Sequence, residues 1–352
     1  TLIVNLENLS SENLKLLVWN TFLDAPYVHG FSIFRNGIAL DYIGAHYKRV
    51  FDPEYSLLEI KEKETISFRF PVEELVNNFR CDEIAKSDLI KISLSNTVIE
   101  IYDEINSRTE NAEIFKEYIV ECNDVTLSPA TILRYYKKKE EFEIDTIDEE
   151  FHSAPLCVFG HNSGYIQLGP TSAHILGYPL TSKLNSSQIK IVKDIVRVIY
   201  DNKTKLNNVT NSSLFKRWFG TYTTVKRDRV KRVLQSVQKG ACPSYIIFNN
   251  ISGVCKGDVY AKIFYDPNYN SSPRQCSATT HYCHKIVLCP LFWTRPLRGQ
   301  DSKVGTLIHE LTHGYSYTKD YKYGKSACLT LAKQNPNKAL ENADNYEYYC
   351  EE

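Results

Sequence analysis

A chain of 352 residues, 43% apolar and 24% charged, has the balance of a water-soluble globular protein with length for two or three domains. No uninterrupted apolar run approaches the roughly 18 residues of a membrane span, so no membrane-spanning segment is expected. The formal net charge is zero, yet residues 1–150 hold 16 Lys and Arg against 29 Asp and Glu, while residues 151–352 hold 26 against 13.

The N-terminal stretch TLIVNLENLSSENLKLL lacks the basic start and long apolar core of a signal peptide. The segments LKLLVWNTF (14–22), GFSIFRNGIAL (30–40), TISFRFPV (65–72) and LIKISLSNTVIEIYD (89–103) are rich in β-branched and aromatic residues and are predicted to contain strands. Asn36-Gly37 marks a hairpin within the second. Short strands divided by turn formers predict a β-sandwich-like domain over residues 1–135. Residues 136–155 form a charged stretch without strong periodicity, read as an exposed linker. Lys137-Lys138-Lys139 at its start is a candidate processing site, although a solvated charge run has the same composition.

Past residue 185 the period changes. Ile189, Ile191, Val192, Ile195, Val198 and Ile199 share one helical face behind a Ser/Asn cap, and residues 212–240 predict one or two further helices with a basic outer side. FKRWF (215–219) and KRDRVKR (226–232) have the charge for an anionic partner, but solvated helix faces explain them as well. No nucleic-acid partner is expected. Short apolar strands are predicted within 241–295, a buried helix over Val304–His313, and a final helix within 338–352.

Ten cysteines and seven Asn-x-Ser/Thr sequons, at Asn8, Asn185, Asn202, Asn208, Asn211, Asn250 and Asn270, together favour an oxidising, secretory environment. Cys276, Cys283 and Cys289 with His281 and His284 have no zinc-finger spacing, so disulfides are the better reading.

The chemistry concentrates in HELTH, residues 309–313. Histidines four apart on a helix face the same way and can share one zinc ion. Glu310, beside the first of them, can act as general base toward water. Gly314 is positioned to end the helix. A third ligand decides the class. No histidine follows within residues 314–319, which excludes the HExxHxxGxxH pattern. Glu341 or Glu347 could serve from a later helix, while Asp320 is nearer, on a loop able to turn back over the metal. Tyr323, three residues on, could then direct its hydroxyl at an oxyanion.

HELTH, then Thr318-Lys-Asp320-Tyr-Lys-Tyr323-Gly324, then Asn342-Ala-Asp344-Asn-Tyr346 resembles the deuterolysin family, the aspzincin metalloendopeptidases, which show HExxH, GTxxDxxYG and an NADSY-like segment. The family's Gly-Thr before the aspartate is absent here, where Tyr317-Thr318-Lys319-Asp320 stands, and the gap after His313 is shorter than usual. Carried over by position, the resemblance implies His309, His313 and Asp320 as zinc ligands, Glu310 as base and Tyr323 as transition-state stabiliser; Asp344 matches a family aspartate that has also been given a zinc role, and it is placed here behind the ligands rather than on the metal. WNTFLDAPYVHGFSIFRNGIALDYIG (19–44) is similar to the propeptide of fungal deuterolysins.

The expectation is therefore an α+β protein: a β-sandwich-like, propeptide-like domain over 1–135, a linker over 136–155, and a mainly helical zincin-type metalloprotease domain over 156–352. It would be a secreted zinc endopeptidase with one catalytic Zn2+, acting on proteins or peptides and contacting its own retained pro-domain. The resemblance also implies that some members favour lysine on the leaving side of the bond. The alternative is a catalytically silent, toxin-like binder acting through its basic C-terminal half. The complete set His309, Glu310, His313, Asp320 and Tyr323 argues against silence.

Overall fold

The computed structural model describes residues 2–19, 21–24, 30–42, 44–72, 75, 79, 88–95, 98–102, 115–119, 125–127, 174–175, 178–179, 185–201, 208–241, 245–246, 255, 257–265 and 284–352. Two compact units emerge: Thr1–Gly44 with Asp52–His152, and Ala45–Phe51 with Ser153–Glu352. The seven residues Ala45–Phe51 lie inside the predicted N-terminal domain by sequence but belong to the second unit. The predicted linker, with its three lysines, lies outside the described residues.

The first unit is built from β1 (Leu2–Glu7), β2 (Leu14–Leu17), β3 (Phe31–Arg35), β4 (Ile38–Ala39), α1 (Pro53–Ser56), β6 (Leu57–Ile60), β7 (Thr65–Phe70), β8 (Ile90–Leu94), β9 (Val98–Tyr102), β10 (Phe115–Ile119) and β11 (Val125–Leu127), while β5 (His46–Arg49) belongs to the second unit. β1 pairs with β7, and two four-stranded sheets run β10-β9-β2-β6 and β11-β8-β3-β4. Period-two patterning fixes the register: Ile33 sits opposite Ile92, both buried, with Ser32 and Lys91 on the alternate positions. At the hairpin between β3 and β4, Asn36 and Gly37 both have positive φ, 51° and 82°, as a tight two-residue connection requires. The Asn36 side chain fastens that turn by donating to Asp88 and accepting from the Leu89 N–H. The sequon at Asn8 has a structural use. Asn8 is 3% exposed, donates to the carbonyls of Glu12 and Lys61, and accepts from the Ser10 N–H.

The second unit holds β5 (His46–Arg49), a short pair β12 (His174–Ile175) and β13 (Tyr178–Pro179), then α2 (Ser186–Asp201), α3 (Ser213–Phe219), α4 (Thr224–Gly240), β14 (Tyr245–Ile246), β15 (Val259–Tyr265), β16 (His284–Leu288), α5 (Pro290–Thr294), α6 (Lys303–Ser316), α7 (Lys325–Gln334), α8 (Pro336–Ala339) and α9 (Ala343–Glu351). Its sheet runs β14-β16-β15-β5, with β14 and β16 parallel and the other pairs antiparallel. Gly220, at φ 69°, divides the basic stretch into α3 and α4. Val192, Ile195, Phe215, Trp218, Val233 and Leu234 form the core with Leu307 and Leu311 of α6. Gly305 lets α6 and α9 pack closely, since a Cβ there would collide with the Glu351 carboxylate.

Gly314 does not end α6. The helix continues to Ser316 and stops at Tyr317, which takes the left-handed conformation at φ 57°. Cys255 and Cys289 form a disulfide, whereas Cys328 is a buried thiol that donates to the Lys322 carbonyl. Cys81, Cys122, Cys157, Cys242, Cys276 and Cys283 lie outside the described residues. Among the described residues no helix is long and apolar enough to cross a membrane.

Candidate metal centre

α6 positions the two histidines. Ser302 caps it by accepting from the Gly305 N–H at 2.9 Å, and its apolar residues bury the whole helix. His309 and His313, one turn apart, bring their Nε2 atoms to 3.0 Å. His313 Nδ1 lies 2.7 Å from the Thr318 carbonyl, which can only accept, so the proton sits on Nδ1 and the Nε2 lone pair is left for the centre. His309 Nδ1 lies 2.7 Å from Asp344 Oδ1, an ion-pair distance.

After Tyr317 the chain turns back over the helix. Lys319 joins the segment before α9, donating to the Glu341 carbonyl at 2.6 Å and accepting from the Ala343 N–H at 3.0 Å. Asn342 holds the next stretch, accepting from the N–H groups of Tyr321 and Lys322 and donating to the Lys322 carbonyl. Gly324, at φ 82°, donates its N–H to Asp344 Oδ2. This scaffolding places Asp320 Oδ1 3.2 Å from His309 Nε2 and 3.1 Å from His313 Nε2.

The three atoms make a nearly equilateral triangle. Ligands about 2.0–2.1 Å from a tetrahedral zinc stand roughly 3.3 Å apart, so the triangle has the dimensions of one face of such a site. Two imidazoles and a carboxylate are also the donor types that zinc accepts. The other sequence candidates are placed elsewhere. Glu341 is exposed and accepts from the Tyr321 hydroxyl, and Glu347 lies on the Nδ1 side of His309, at 3.5 Å.

Glu310 is fully buried; its Oε1 accepts from the Lys48 N–H at 2.8 Å, while its Oε2 has no hydrogen-bond partner among the described residues. Burial pushes its carboxyl up to about 8, toward the range of a proton carrier near neutrality. Tyr323 is 8% exposed, with its ring centroid 6.2 Å from that of His309. Burial, and then the neighbouring Asp320 carboxylate, raise its phenol well above the usual range, so it remains a donor.

Beside this lies an acidic pocket that already holds a cation. Lys48 Nζ is 3.0 Å from Asp344 Oδ1, 2.9 Å from Glu347 Oε2 and 3.8 Å from Asp301 Oδ1. Burial alone would lower the Lys48 ammonium, but the surrounding carboxylates hold it well above its ordinary value. Although His309, Asp344 and Glu347 could group around a metal, the lysine ammonium fills that space. A third cluster joins His46 to His313 and Asp320: the His46 ring stacks on His313 at 4.5 Å, with Nδ1 3.8 Å from Asp320 Oδ2. Sequence reading missed His46 and Lys48 altogether, since HYKR has no motif and its neighbours come from residues 301–347. Asn342 lay within the family-like NAD segment, the one signal that could have found it.

Comparison with known proteins adds a family. Residues 204–351 match the aspzincin family model, described as lysine-specific metallo-endopeptidase. A peptidyl-Lys metalloendopeptidase of Pleurotus ostreatus is 30% identical over 149 residues, 42% of this chain and 78% of that protein. The chain belongs to the aspzincin family. Two longer relatives are matched over about a third of their own length. This aspzincin is 32% identical over 143 residues, 40% of the chain, to an extracellular protease of Aeromonas hydrophila, of which it spans 36%. It is 34% identical over 147 residues, 41% of the chain, to a peptidyl-Lys metalloendopeptidase of Armillaria mellea, of which it spans 37%.

Proposed function

We propose that this aspzincin is a zinc metalloendopeptidase that hydrolyses the peptide bond on the amino side of lysine. The single observation that carries the reading is the placement of Lys48, with its ammonium among Asp344, Glu347 and Asp301 and its backbone N–H on Glu310. A lysine in that pocket brings the bond preceding it to the candidate base. The peptidyl-Lys names of two relatives point the same way.

In this reading His309, His313 and Asp320 hold one zinc ion, which supplies Lewis acidity toward water and the scissile carbonyl. Glu310 takes a proton from water at the carboxylate and passes it to the departing lysine nitrogen. Tyr323 donates from its buried hydroxyl to the oxyanion. Asp344 has two tasks: it fixes the proton of His309 on Nδ1 and supplies charge to the lysine pocket. Residues 151–352 carry 26 Lys and Arg against 13 Asp and Glu, a surplus that disfavours basic substrates at long range. Carboxylates a few ångströms away outweigh surface charges screened beyond roughly 8 Å.

The finer assignments belong to the same proposal. Residues 1–135 act as a β-sandwich-like, propeptide-like domain, 136–155 as linker, and 156–352 with the inserted strand β5 as a zincin-type protease domain. The setting is extracellular, as the name of the Aeromonas relative suggests. Incubating the zinc-loaded chain with a peptide containing one internal lysine tests the function. Mass spectrometry should find a product starting with lysine, and a chelator should abolish it. Cleavage elsewhere, or none, overturns the reading.

A further inference from the structure

The acidic pocket has two kinds of wall. Asp344 and Glu347 are fully buried and also approach His309 Nδ1, at 2.7 and 3.5 Å, so they form the side that faces the centre. Asp301 is different. Its side chain is 20% exposed and its Oδ1 stands 3.8 Å from Lys48 Nζ, an ionic contact too long for a hydrogen bond. It marks the end of the pocket toward solvent.

Asp301 is held by its side chain and by both of its backbone groups. The Tyr348 hydroxyl donates to Oδ1 at 2.6 Å, and the Gln300 amide donates to Oδ2 at 3.3 Å. Burial raises the Tyr348 phenol above its usual range, so it stays a donor. The Asp301 N–H donates to Glu351 Oε2 at 3.1 Å, and its carbonyl accepts from Arg295 Nε at 3.0 Å. The loop is also fastened to the start of α6, where the Lys303 and Val304 N–H groups donate to the Pro296 and Leu297 carbonyls. Asp301 takes φ 51°, a left-handed conformation that aspartate tolerates better than most residues. A carboxylate fixed this way cannot swing aside for a longer guest.

The Lys48 ammonium shows what fits. It is a compact charge that reaches Asp344 and Glu347 at 3.0 and 2.9 Å and stops short of Asp301. An arginine would carry a wider, planar guanidinium further along the same path. There it would meet a carboxylate with both oxygens already engaged.

We infer that Asp301 is a specificity-determining residue, a fixed end wall that gauges the length of the side chain in the pocket and excludes arginine. This rests on the proposed lysine-selective peptidase function and names the residue that draws the boundary. The wall acts by its volume and fixed position, while its charge adds to the hold on lysine.

The test compares two peptides, identical except for one internal lysine or arginine, as substrates of the zinc-loaded full chain. Lys48 competes with both peptides alike, so it cancels from the ratio of their kcat/KM values. Asp301→Gly accepts the same φ and removes the wall; Asp301→Asn accepts it and keeps the volume without the charge. Asp301→Gly should raise arginyl relative to lysyl cutting roughly tenfold or more, the scale set by a small change in pocket size. Asp301→Asn should lower lysyl cutting and leave the arginyl peptide as poorly cut as in the parent. A second readout needs neither metal nor turnover. In chelator, Lys48→Arg should lower the melting temperature by about 4 °C or more, and by clearly less in an Asp301→Gly background. An unchanged lysine-to-arginine ratio in Asp301→Gly that still cuts the lysyl peptide would overturn the inference and leave the peptidase reading standing. So would arginyl cutting that rises in Asp301→Asn, since charge and not volume would then be the barrier. A parent that cuts neither peptide would sink the peptidase reading. The melting comparison would then decide the gauge, and an equal penalty for Lys48→Arg in both backgrounds would overturn it.

Discussion

Replacing Lys48 with Met removes the ammonium from a pocket that keeps its carboxylates. Asp344 and Glu347 are both fully buried, and Lys48 Nζ is 3.0 and 2.9 Å from them. Removing one partner of a buried pair costs about 3–5 kcal/mol, because the remaining charge stays desolvated. Glu347 limits the loss, since burial already raises its carboxyl and it can take up a proton. We therefore expect Lys48→Met to cost about 3 kcal/mol at pH 7.5, at the lower end of that range. The deficit should shrink toward acid pH. In the parent, burial would raise Asp344, but Lys48 and His309 hold it below its ordinary value, so its contribution fades as pH falls through the folded pKa. In the variant an unpaired buried carboxyl has a raised folded pKa, so its penalty grows as pH rises. Both signs narrow the gap at low pH. Adding Asp344→Asn should recover about 1–3 kcal/mol as coupling. Urea unfolding in a Glu310→Gln, Trp19→Phe background, followed through the two remaining tryptophans of the second unit, Trp218, which stacks on Tyr348 at 5.3 Å, and Trp293, measures this. A loss below about 1 kcal/mol, the scale of an exposed pair, or a loss equal at pH 5 and 7.5 would refute the reasoning.

The other predictions concern the centre and one turn. Asp320→Ala should release zinc or weaken it greatly, whereas Asp344→Ala should leave zinc bound more loosely; equilibrium dialysis ranks the two. Glu310→Gln should retain zinc and lose most turnover, and Tyr323→Phe should lower turnover by roughly 10- to 1000-fold with zinc unchanged. Loss of metal in either would assign it a structural task. Asn8→Ala should destabilise the first unit by about 1–3 kcal/mol through its lost buried hydrogen bonds, and peptide mapping should find no glycan at Asn8.

Most of the centre was legible because its signals are local. The i,i+4 histidines of α6 lie within one helical turn, and Asp320 follows on the next loop. The β3–β4 hairpin was equally local, since Asn36-Gly37 dictates its own turn. Helix ends were less legible. Gly314 is a stop signal by composition, yet the tertiary contacts of α6 carry the helix two residues further. α7 has a weak apolar stripe and went unpredicted as a separate helix. The placement of β5 could not be read at all, because HYKR is an ordinary strand pattern and edge pairing with β15 leaves no mark in it. The lysine pocket is likewise assembled from Asp301, Asp344 and Glu347, a loop residue and two from α9.

In the proposed function, an acidic pocket beside a Glu310-dependent metal centre selects lysine on the leaving side of the bond. Its most direct measurement is a complete cleavage map of an unfolded protein containing many lysines, digested by zinc-loaded full-length chain. Almost every new amino terminus should be lysine, and chelator or Glu310→Gln should remove these products. Cuts without preference for lysine, or cuts that persist in Glu310→Gln, would contradict it.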